Sequence, residues 1–488
     1  MVRVLILGGG VSGLSTANFL AEKGLRNIVI LEARNRVGGR IYTDNVDGIP
    51  LEYGSQWIHG TNPANSVYNF INKSGLSLEY NTPSESIRSF SSIIVKDQRV
   101  GTYLRSDGIP IPEHVRKLAE EFHSETLLSM KNDAENIPYD ENKSNIPSVA
   151  QYYTTKLEAK EKELKSNGHS KRNLEDFKSC LNGLKNGLSI YIGEKLDACK
   201  IDTYGSFEEL PGKDAFIPKG LSNLQDKLLN KMKHNVTIKL NHIVEKIIWT
   251  REAGHNVIIN VKRKEKGDSI EISADFVVCT FPLGVLKVVH QEMFQPNLPP
   301  GKIRAINNIG FGSVVKLFLS WSEPWWNPSD FPISLAWKQS EMEEDDHWSK
   351  SITAFYTVPR HPGMLMAWIP GATAAKTVES LRGEEITLVM GCLLRQFTGD
   401  PSISFPDRVY YHPWTSDKFT LGAYAFSGSA DDFEEMSAPL PNANNPKLFF
   451  AGEATISCYR GTMHGARSSG MREAQRIVEK CKFLKGIK

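Results

Sequence analysis

Residues 4–13 read Val-Leu-Ile-Leu-Gly-Gly-Gly-Val-Ser-Gly, so an apolar run leads directly into a glycine-rich turn. The run predicts a buried strand over Val4–Leu7, and small side chains on one face predict a helix over Leu14–Lys23. A second apolar run predicts a strand over Ile28–Leu31. Together these elements form a βαβ unit of about thirty residues, the arrangement that opens a doubly wound, dinucleotide-binding sheet.

The turn has the spacing GxGxxG, with glycines at Gly8, Gly10 and Gly13 and a hydroxyl at Ser12. The first glycine permits the tight turn, the second lets a pyrophosphate approach the backbone, and the third lets helix and strand pack closely. Such turns also arise for steric reasons without a ligand. Here, however, Glu32 ends the second strand, where a carboxylate can accept hydrogen bonds from ribose hydroxyls. We therefore predict a dinucleotide site, which would suit either NAD or FAD.

The next segment, residues 32–40, reads Glu-Ala-Arg-Asn-Arg-Val-Gly-Gly-Arg. Gly38 and Gly39 allow the backbone to pass close to a bulky ligand, and the guanidinium groups of Arg34 and Arg40 suit pyrophosphate oxygens. A basic surface loop is the alternative interpretation. Taken alone, this segment does not distinguish between the two.

The composition of the chain indicates how many domains, which partners and which cellular location to expect. Its 488 residues are 40% hydrophobic, which is enough for a cofactor domain and a substrate domain. The net charge of +2 gives no electrostatic reason to expect nucleic acid or a membrane as a partner. The six cysteines lack metal-like spacing, and no signal peptide or long apolar run is evident. We therefore expect a cytoplasmic protein that needs no metal.

Residues 31–40, LEARNRVGGR, resemble the flavin-containing amine oxidase family, and five further segments agree with that family in the same order. The resemblance covers nearly the whole chain outside a charged, helix-prone region of roughly residues 86–186. The five further segments are 54–60 (GSQWIHG), 209–212 (ELPG), 281–287 (FPLGVLK), 450–453 (FAGE) and 463–466 (MHGA).

The resemblance implies a mixed α/β fold with two domains and FAD as the cofactor. A Rossmann-like FAD-binding domain would be assembled from the discontinuous segments 1–85, 205–292 and 400–488. A substrate-binding domain of mixed sheet and helices would occupy residues 86–204 and 293–399.

The resemblance also assigns cofactor contacts. Gly452 and Glu453 would meet the ribityl and phosphate groups, and the helix N-terminus at residues 462–464 would face the flavin N1–C2=O edge. Reduced flavin carries negative charge at that edge, which a helix N-terminus stabilises. Val244 would hold the adenine half through its backbone, although ordinary strand packing explains it equally. The complete predicted set is Gly8, Gly10, Ser12, Gly13, Glu32, Arg34, Gly39, Arg40, Gln56, Trp57, Val244, Trp368, Trp414, Gly452, Glu453, Thr462 and Met463.

For catalysis, the resemblance singles out Lys316, in the position of the lysine that binds a water beside flavin N5. Without the family, a lysine in an apolar alternating run would be interpreted as an outward-facing charge. Trp368, Trp414 and Tyr424 resemble the aromatic residues that wall the flavin and hold the substrate. Core packing is the alternative for these three rings.

Two residues indicate the subclass. His59 matches the spermine oxidase and N1-acetylpolyamine oxidase branch, where this histidine faces the substrate amine and can exchange a proton near neutral pH. Ala423 occupies the position at which monoamine oxidases tether flavin through a cysteine, so we predict non-covalent FAD. Cys458 lies nearby but outside that position, and we interpret it as a packed residue.

Two departures leave the substrate open. Relatives from animals carry an acidic residue, on the helix before the Leu-Pro-Gly segment, that anchors the distal ammonium of the substrate. Here that place falls near Gly187–Ser189, which contains no carboxylate, and Glu194 is the nearest acid. Gly461 also stands where those relatives have serine. A shifted anchor and a different amine both remain open.

The predicted activity is oxidation of a secondary-amine C–N bond in spermine, spermidine or their N1-acetylated forms. The products would be an aldehyde, a shorter amine and hydrogen peroxide. The alternatives are a protein-lysine demethylase, an L-amino-acid or monoamine oxidase, and a non-catalytic flavin-binding module. We expect a monomer or weak dimer whose partners are a small amine and oxygen.

Overall fold

The computed structural model describes residues 2–80, 101–137, 146–232, 235–250 and 256–484. The chain divides into two compact units, each built from separated segments. Unit 1 comprises Met1–Tyr80, Phe207–Phe311 and Asp417–Lys488, and unit 2 comprises Asn81–Ser206 and Gly312–Ser416. Among the helices in these described ranges, none has the length and apolar character needed to cross a membrane.

The secondary structure of the described residues alternates between short strands and helices. The strands are β1 Val4–Leu7, β2 Ile28–Leu31, β3 Thr43–Val46, β4 Ile49–Glu52, β5 Glu79–Tyr80, β6 Thr102–Arg105, β7 Ala215–Phe216, β8 Val236–Lys239, β9 His242–Ile248, β10 Val257–Arg263, β11 Asp268–Ala274, β12 Phe276–Cys279, β13 Phe294–Gln295, β14 Gly310–Gly312, β15 Val314–Ser320, β16 Ile333–Ala336, β17 Ala354–Val358, β18 His361–Pro370, β19 Arg408–Tyr410, β20 Tyr424–Ser427 and β21 Leu448–Phe450. The α-helices are α1 Val11–Glu22, α2 Ser66–Ser74, α3 Glu113–Glu135, α4 Val149–Ser166, α5 Lys171–Ile192, α6 Ile201–Gly205, α7 Ser222–Met232, α8 Leu283–Met293, α9 Pro300–Asn308, α10 Gln339–Glu344, α11 Ala372–Ser380, α12 Gly383–Thr398, α13 Ala430–Ser437 and α14 Met463–Leu484.

Unit 1 is organised around a parallel sheet with strand order β21-β12-β1-β2-β8. The central strand β1 has alternating side chains in two separate cores, with Leu5 and Leu7 in one and Val4 and Ile6 in the other. Burial on both faces explains why this strand is uninterruptedly apolar. The strands predicted over Val4–Leu7 and Ile28–Leu31 are confirmed, whereas α1 begins at Val11, earlier than predicted.

A second sheet of unit 1, in the order β11-β10-β9-β13, is antiparallel except for its β9–β13 pair. The β9–β10 ladder shifts register between Asn260 and Val261, and Val244 is the partner of Val261 at this irregularity. Short two-stranded pairs complete the described part of unit 1.

Unit 2 contains a sheet in the order β19-β15-β18-β17-β16-β6, antiparallel except where β6 runs parallel to β16. Helix α5 lies close over this sheet, because a Cβ on Gly183 would stand 3.1 Å from the Leu335 carbonyl oxygen. The lysine- and glutamate-rich run at residues 156–165 lies on α4 and is largely solvent-accessible. The mixed α/β fold predicted from the sequence is confirmed.

Candidate functional site

The glycine turn of unit 1 contains glycines of two different kinds. Gly8 has φ +110°, and a Cβ there would lie 2.5 Å from Thr280 Oγ1, while a Cβ on Gly13 would lie 2.1 Å from the Gly8 carbonyl oxygen. The fold itself therefore requires glycine at both positions. Gly10 has φ −74°, and a Cβ there would contact only the Cα of Gly39, at 4.0 Å. Because the protein does not fill the space at Gly10, a ligand can use it.

The loop that follows β2 closes on this turn. Gly38 donates its N–H to the carbonyl oxygen of Gly9 (2.8 Å), and Gly10 forms an isolated parallel bridge with Gly38. Gly38 and Gly39 have φ values of +103° and +58°, which glycine adopts readily. Ser12, predicted to bind the cofactor, is buried, and its Oγ finds no hydrogen-bond partner within the described ranges.

Glu32 lies buried beside the turn, and its carboxylate links two segments of backbone. Oε2 accepts a hydrogen bond from Gly9 N (2.7 Å), and Oε1 accepts one from Arg34 N (2.8 Å). An ionised carboxylate offers about four lone-pair positions, so ribose hydroxyls can still bind. Arg34 contacts Asp417 through an ion pair of 2.5 Å and stacks over the Phe419 ring.

Sequence reasoning missed Arg36, which organises the same loop. Its Nη1 donates to the carbonyl oxygens of Val37, Gly39 and Ile41, and its guanidinium lies 4.1 Å from the centre of the Tyr42 ring. Burial, reinforced by repulsion from Arg34, lowers the pKa of Arg36. The sequence offered one indication of this role, since Arg36 follows Arg34 by two positions in the same loop.

Glu453 joins three segments of unit 1. Its Oε1 accepts a hydrogen bond from Arg40 Nη1 (2.7 Å), and its Oε2 accepts from Gly461 N (2.8 Å) and Ala425 N (3.2 Å). Arg40 also donates to the carbonyl oxygen of Ala423 (2.7 Å). The predicted roles of Arg40 and Glu453 are binding of phosphate and ribityl groups. In the structure, the side chains of Arg40 and Glu453 form hydrogen bonds to the backbone of Ala423 and Ala425, the two neighbours of Tyr424.

Gly461 lies beside Tyr424 and Ala425. Gly461 has φ +73°, and a Cβ there would lie 3.1 Å from the Ala425 carbonyl oxygen and 3.5 Å from the Cβ of Tyr424. The left-handed backbone accounts for glycine at this position. Burial raises the pKa of the Tyr424 hydroxyl well above its usual range, so the phenol stays protonated.

The N-terminus of α14 is capped by Thr462, whose Oγ1 accepts a hydrogen bond from Gly465 N (2.9 Å). Met463 is the first residue of this helix. Upstream, Gly452 has φ +132°, and a Cβ there would find no atom within 4 Å. Its N–H donates to Ser469 Oγ (2.9 Å), so the turn and the helix are joined directly.

His59 is held by a carboxylate that sequence reasoning missed. Asp214 Oδ2 lies 2.8 Å from His59 Nδ1, and Asp214 Oδ1 accepts a hydrogen bond from Gly60 N (3.1 Å). The Asp214 side chain is 7% exposed, whereas that of His59 is 52% exposed. Asn65 fixes the backbone by donating from Nδ2 to the His59 carbonyl oxygen (2.8 Å). Because Nδ1 bonds the carboxylate, Nε2 is the nitrogen that remains for a ligand.

Lys316 lies in β15 of unit 2 and is buried, only 4% exposed. The alternative of an outward-facing charge is therefore wrong. Trp368 is the residue opposite Lys316 on β18, and the ammonium lies 5.2 Å from the centre of its ring and 5.6 Å from that of Phe318. The Trp368 indole N–H is buried without a partner in the described structure.

The remaining predicted cofactor residues occupy varied surroundings. Trp414 is buried in unit 2 and packs edge-on against the His412 ring, with centroids 4.1 Å apart. Trp57 is buried in unit 1, packs edge-on against Phe216 and has an indole N–H without a partner in the described ranges. Val244 is buried in β9, and Gln56 is partly exposed.

The two places considered for a distal anchor both lie in unit 2. Gly187–Ser189 lies within α5, where a Cβ on Gly187 would be in ordinary contact with Thr353. Glu194 follows the end of α5, and its Oε2 accepts a hydrogen bond from Ala372 N (3.1 Å), the first residue of α11. Glu194 therefore caps a helix, which gives its carboxylate a structural partner.

The residues of unit 1 fit an adenine dinucleotide. Open space lies beside Gly10 and Gly452, where a larger residue would intrude on a ligand. The buried Ser12 hydroxyl and Trp57 N–H have no partner in the described ranges, as expected for groups that bond a ligand. Glu32 retains acceptor positions for ribose hydroxyls. These observations support FAD as the cofactor.

Comparison with known proteins decides the family. The profile described as flavin containing amine oxidoreductase matches residues 11–478. The chain belongs to this family. It is 29% identical to the bovine (Bos taurus) peroxisomal N(1)-acetyl-spermine/spermidine oxidase, covering 98% of this chain and 94% of that protein. It is 27% identical to polyamine oxidase 2 of Arabidopsis thaliana, covering 98% and 89%.

Solved structures agree on the fold. Wild-type putrescine oxidase bound to putrescine superposes with a TM-score of 0.68 at 18% identity, covering 98% of this chain and 99% of that one. The family membership confirms the flavin cofactor and the amine oxidoreductase class that the sequence predicted. The role of each individual side chain remains a prediction.

Proposed function

We propose that this flavin amine oxidoreductase oxidises the carbon–nitrogen bond of a secondary amine within a polyamine. The products are an aldehyde, a shorter amine and hydrogen peroxide, with oxygen and water consumed. The relatives named as polyamine oxidases and N(1)-acetyl-spermine/spermidine oxidases, from animals and plants, support this substrate class. Bound FAD supplies the acceptor for two electrons, which it passes to oxygen.

The Asp214–His59 pair is the observation that carries the proposal. A polyamine arrives as an ammonium ion because alkyl amines have pKa values near 10, like the side chain of lysine. The carbon beside the nitrogen gives up a hydride easily only when the amine is neutral. His59 Nε2 accepts the ammonium proton, while Asp214 orients the ring and stabilises the resulting imidazolium. His59 is accessible enough to meet a substrate.

In unit 2, Lys316 holds a water that takes part in proton movement during the reaction. The side chain of Lys316 is buried and its ammonium lies over the Trp368 ring, whereas a lysine that only improves solubility lies on the surface. This burial supports a role in the reaction. Trp368 and Trp414 exclude bulk water with their rings. Tyr424, protonated and held by the bonds around Glu453, presents a neutral phenol.

FAD is bound without a covalent link, because Ala423 offers no thiol. The cytoplasm as location and a monomer or weak dimer as assembly are part of the same proposal. The bovine relative is named as peroxisomal, so a peroxisomal location is the competing outcome. Fractionation of cells and size-exclusion chromatography test these two points, and an organellar fraction or a stable large oligomer would contradict them.

Peroxide release from purified protein tests the activity. The amines are spermine, spermidine and N1-acetylspermine, with L-amino acids, a monoamine and a methyl-lysine peptide as controls. We expect peroxide with at least one polyamine and an increase of activity on the alkaline side of neutrality. Peroxide from the amino acids, the monoamine or the peptide alone would assign a different substrate class.

A further inference from the structure

His464 is a buried histidine in unit 1 with an unused nitrogen. Its side chain lies in the first turn of α14, a helix of 22 residues, and the residue is 5% exposed. Its Nε2 finds no hydrogen-bond partner in the described structure. A buried polar atom without a partner costs about 1–3 kcal/mol, and a bound ligand or water can supply the missing bond.

Two further groups define the surroundings of His464. The Tyr459 ring packs edge-on against the imidazole with centroids 5.1 Å apart. Burial and the nearby Glu208 carboxylate raise the pKa of the Tyr459 hydroxyl. On the backbone side, Ser66 Oγ donates to the His464 carbonyl oxygen (3.0 Å). These contacts hold the ring in place without using Nε2.

His464 also lies near His59. Burial, reinforced by repulsion from a charged His59, lowers the pKa of His464 to about 4. His464 stays neutral and keeps a lone pair available as an acceptor.

We propose that His464 is a second amine-binding residue, whose Nε2 accepts a hydrogen bond from the substrate nitrogen that His59 deprotonates. The inference rests on the proposed polyamine oxidation. A secondary ammonium has two N–H bonds. One proton moves to His59 Nε2, and the electron pair of that N–H bond stays on nitrogen as the lone pair. The second N–H remains and donates to His464. The two imidazoles therefore select a nitrogen with two N–H bonds in its protonated form.

The consequence for specificity is testable with substrate analogues. A tertiary amine has a single N–H when protonated and none when neutral, so it cannot satisfy both histidines. We expect a polyamine methylated at the reacting nitrogen to be bound more weakly than its parent by the wild-type protein. The same methylation would matter little to a protein that lacks the His464 acceptor.

The experiment compares three variants of the FAD-loaded protein. His464→Leu removes the acceptor, and His464→Gln restores an acceptor oxygen. His290→Leu is the control, because His290 is also buried in unit 1 with an unpartnered Nε2 in the described structure. Spermine affinity is measured on protein reduced by dithionite without air, in which turnover cannot occur. FAD content and steady-state KM and kcat are measured in parallel.

We expect His464→Leu to weaken spermine binding about 10-fold, the equivalent of one hydrogen bond of ~1.4 kcal/mol. His464→Gln should recover part of this loss, His290→Leu should show none, and FAD content should be equal in all. Unchanged spermine affinity in His464→Leu would overturn the inference, as would a loss of FAD with normal affinity in the loaded fraction. A wild-type protein that oxidises no polyamine would instead contradict the proposed function.

Discussion

In the glycine turn, Gly13 is required by the packing of the protein itself, and Gly10 leaves space that a ligand can fill. Gly13→Ala places a Cβ 2.1 Å from the Gly8 carbonyl oxygen, so we expect it to destabilise the protein by roughly 1–3 kcal/mol. Gly10→Ala meets nothing closer than 4.0 Å, so the apoprotein should keep its stability. FAD affinity of this variant should fall at least ~10-fold, because the methyl group occupies space meant for the cofactor.

Urea denaturation without FAD and FAD titration with each variant check this contrast. The reverse pattern, with Gly10→Ala unstable and Gly13→Ala tolerated, would show that the turn does not use its glycines in these two ways.

Lys316 allows a second test at the same scale. We expect Lys316→Met to slow either amine oxidation or flavin reoxidation by ~100-fold, the lower end for a group that assists proton transfer. FAD should remain bound, since the change adds no charge and keeps the length of the side chain. Lys350→Met is the control, because Lys350 is also buried in unit 2 but bonds backbone oxygens of Glu341 and Asp345. Rapid-reaction kinetics measures flavin reduction by the amine and flavin reoxidation by oxygen separately. Wild-type rates of both steps in Lys316→Met would show that Lys316 does not assist proton transfer.

Some residues of the site were predictable because their chemistry is local. Gly8, Gly13 and Glu32 lie within a single βαβ unit, and spacing alone indicates how they meet. Asp214 was not predictable in the same way, because 155 positions of chain separate it from His59 and an isolated aspartate has no distinctive pattern. The links from Glu453 to Arg40 and Ala425 are equally non-local.

Among the elements, the carboxylate of Glu453 joins the Arg40 segment, strand β20 and the turn before α14. In Glu453→Gln, the amide NH₂ would face a donor in either orientation, since Arg40 donates on one side and two backbone N–H groups donate on the other. We expect a loss of roughly 2–4 kcal/mol of stability, because buried donors and a guanidinium lose their partner.

Urea denaturation of the Glu453→Gln apoprotein measures this loss, with the exposed Glu434→Gln as a matched control. A variant as stable as the control would show that the carboxylate does not hold these three elements together.

The junction of α9 and α13 predicts a pH dependence. Lys302 is 1% exposed, donates to the carbonyl oxygens of Glu435 and Met436, and lies over the Phe450 ring. Burial lowers the pKa of Lys302 to about 7, well below the value near 10 of an unfolded lysine.

Between those two values the unfolded chain binds a proton that the folded protein lacks, so stability rises with pH through this window. The slope is at most ~1.4 kcal/mol per pH unit. Relative to Lys302→Met, the wild type should gain stability from about pH 7 to about pH 9 in urea denaturation. Parallel stability curves for the two proteins would contradict a neutral buried lysine.

Elements with a strong periodic signal were predictable, and their boundaries were less so. The strands β1 and β2 match because burial on both faces makes them continuously apolar. Helix α1 starts earlier than predicted because extended backbone at Gly10 already forms the N-cap. The internal architecture of unit 2 depends on antiparallel pairings between distant segments, which no local pattern specifies.

At the scale of the whole molecule, the chain builds each unit from separated pieces. The sequence predicted cofactor segments 1–85, 205–292 and 400–488, and the contacts define Met1–Tyr80, Phe207–Phe311 and Asp417–Lys488 as unit 1. The resemblance to the flavin-containing amine oxidases implied this division. We propose that unit 1 binds the cofactor, since its glycine turn, Glu32 and α14 fit a dinucleotide.

A non-covalent cofactor has consequences for the entire protein. Acid precipitation should release all the flavin into the supernatant, since Ala423 cannot form a thioether. FAD binds only the folded protein, so free FAD at about 100 times its Kd should stabilise the fold by ~2.7 kcal/mol. Absorbance of the supernatant and thermal unfolding against FAD concentration check both points. Flavin that stays with the precipitate would disprove the non-covalent attachment.

The account depends on electrons passing from a polyamine to FAD held by this chain. Anaerobic titration of the purified, FAD-loaded protein with spermine, spermidine and N1-acetylspermine measures that transfer directly through the visible flavin absorbance. We predict stoichiometric bleaching by at least one of these polyamines and recovery of the colour when air is admitted. An oxidised flavin spectrum that persists with every polyamine would contradict the account.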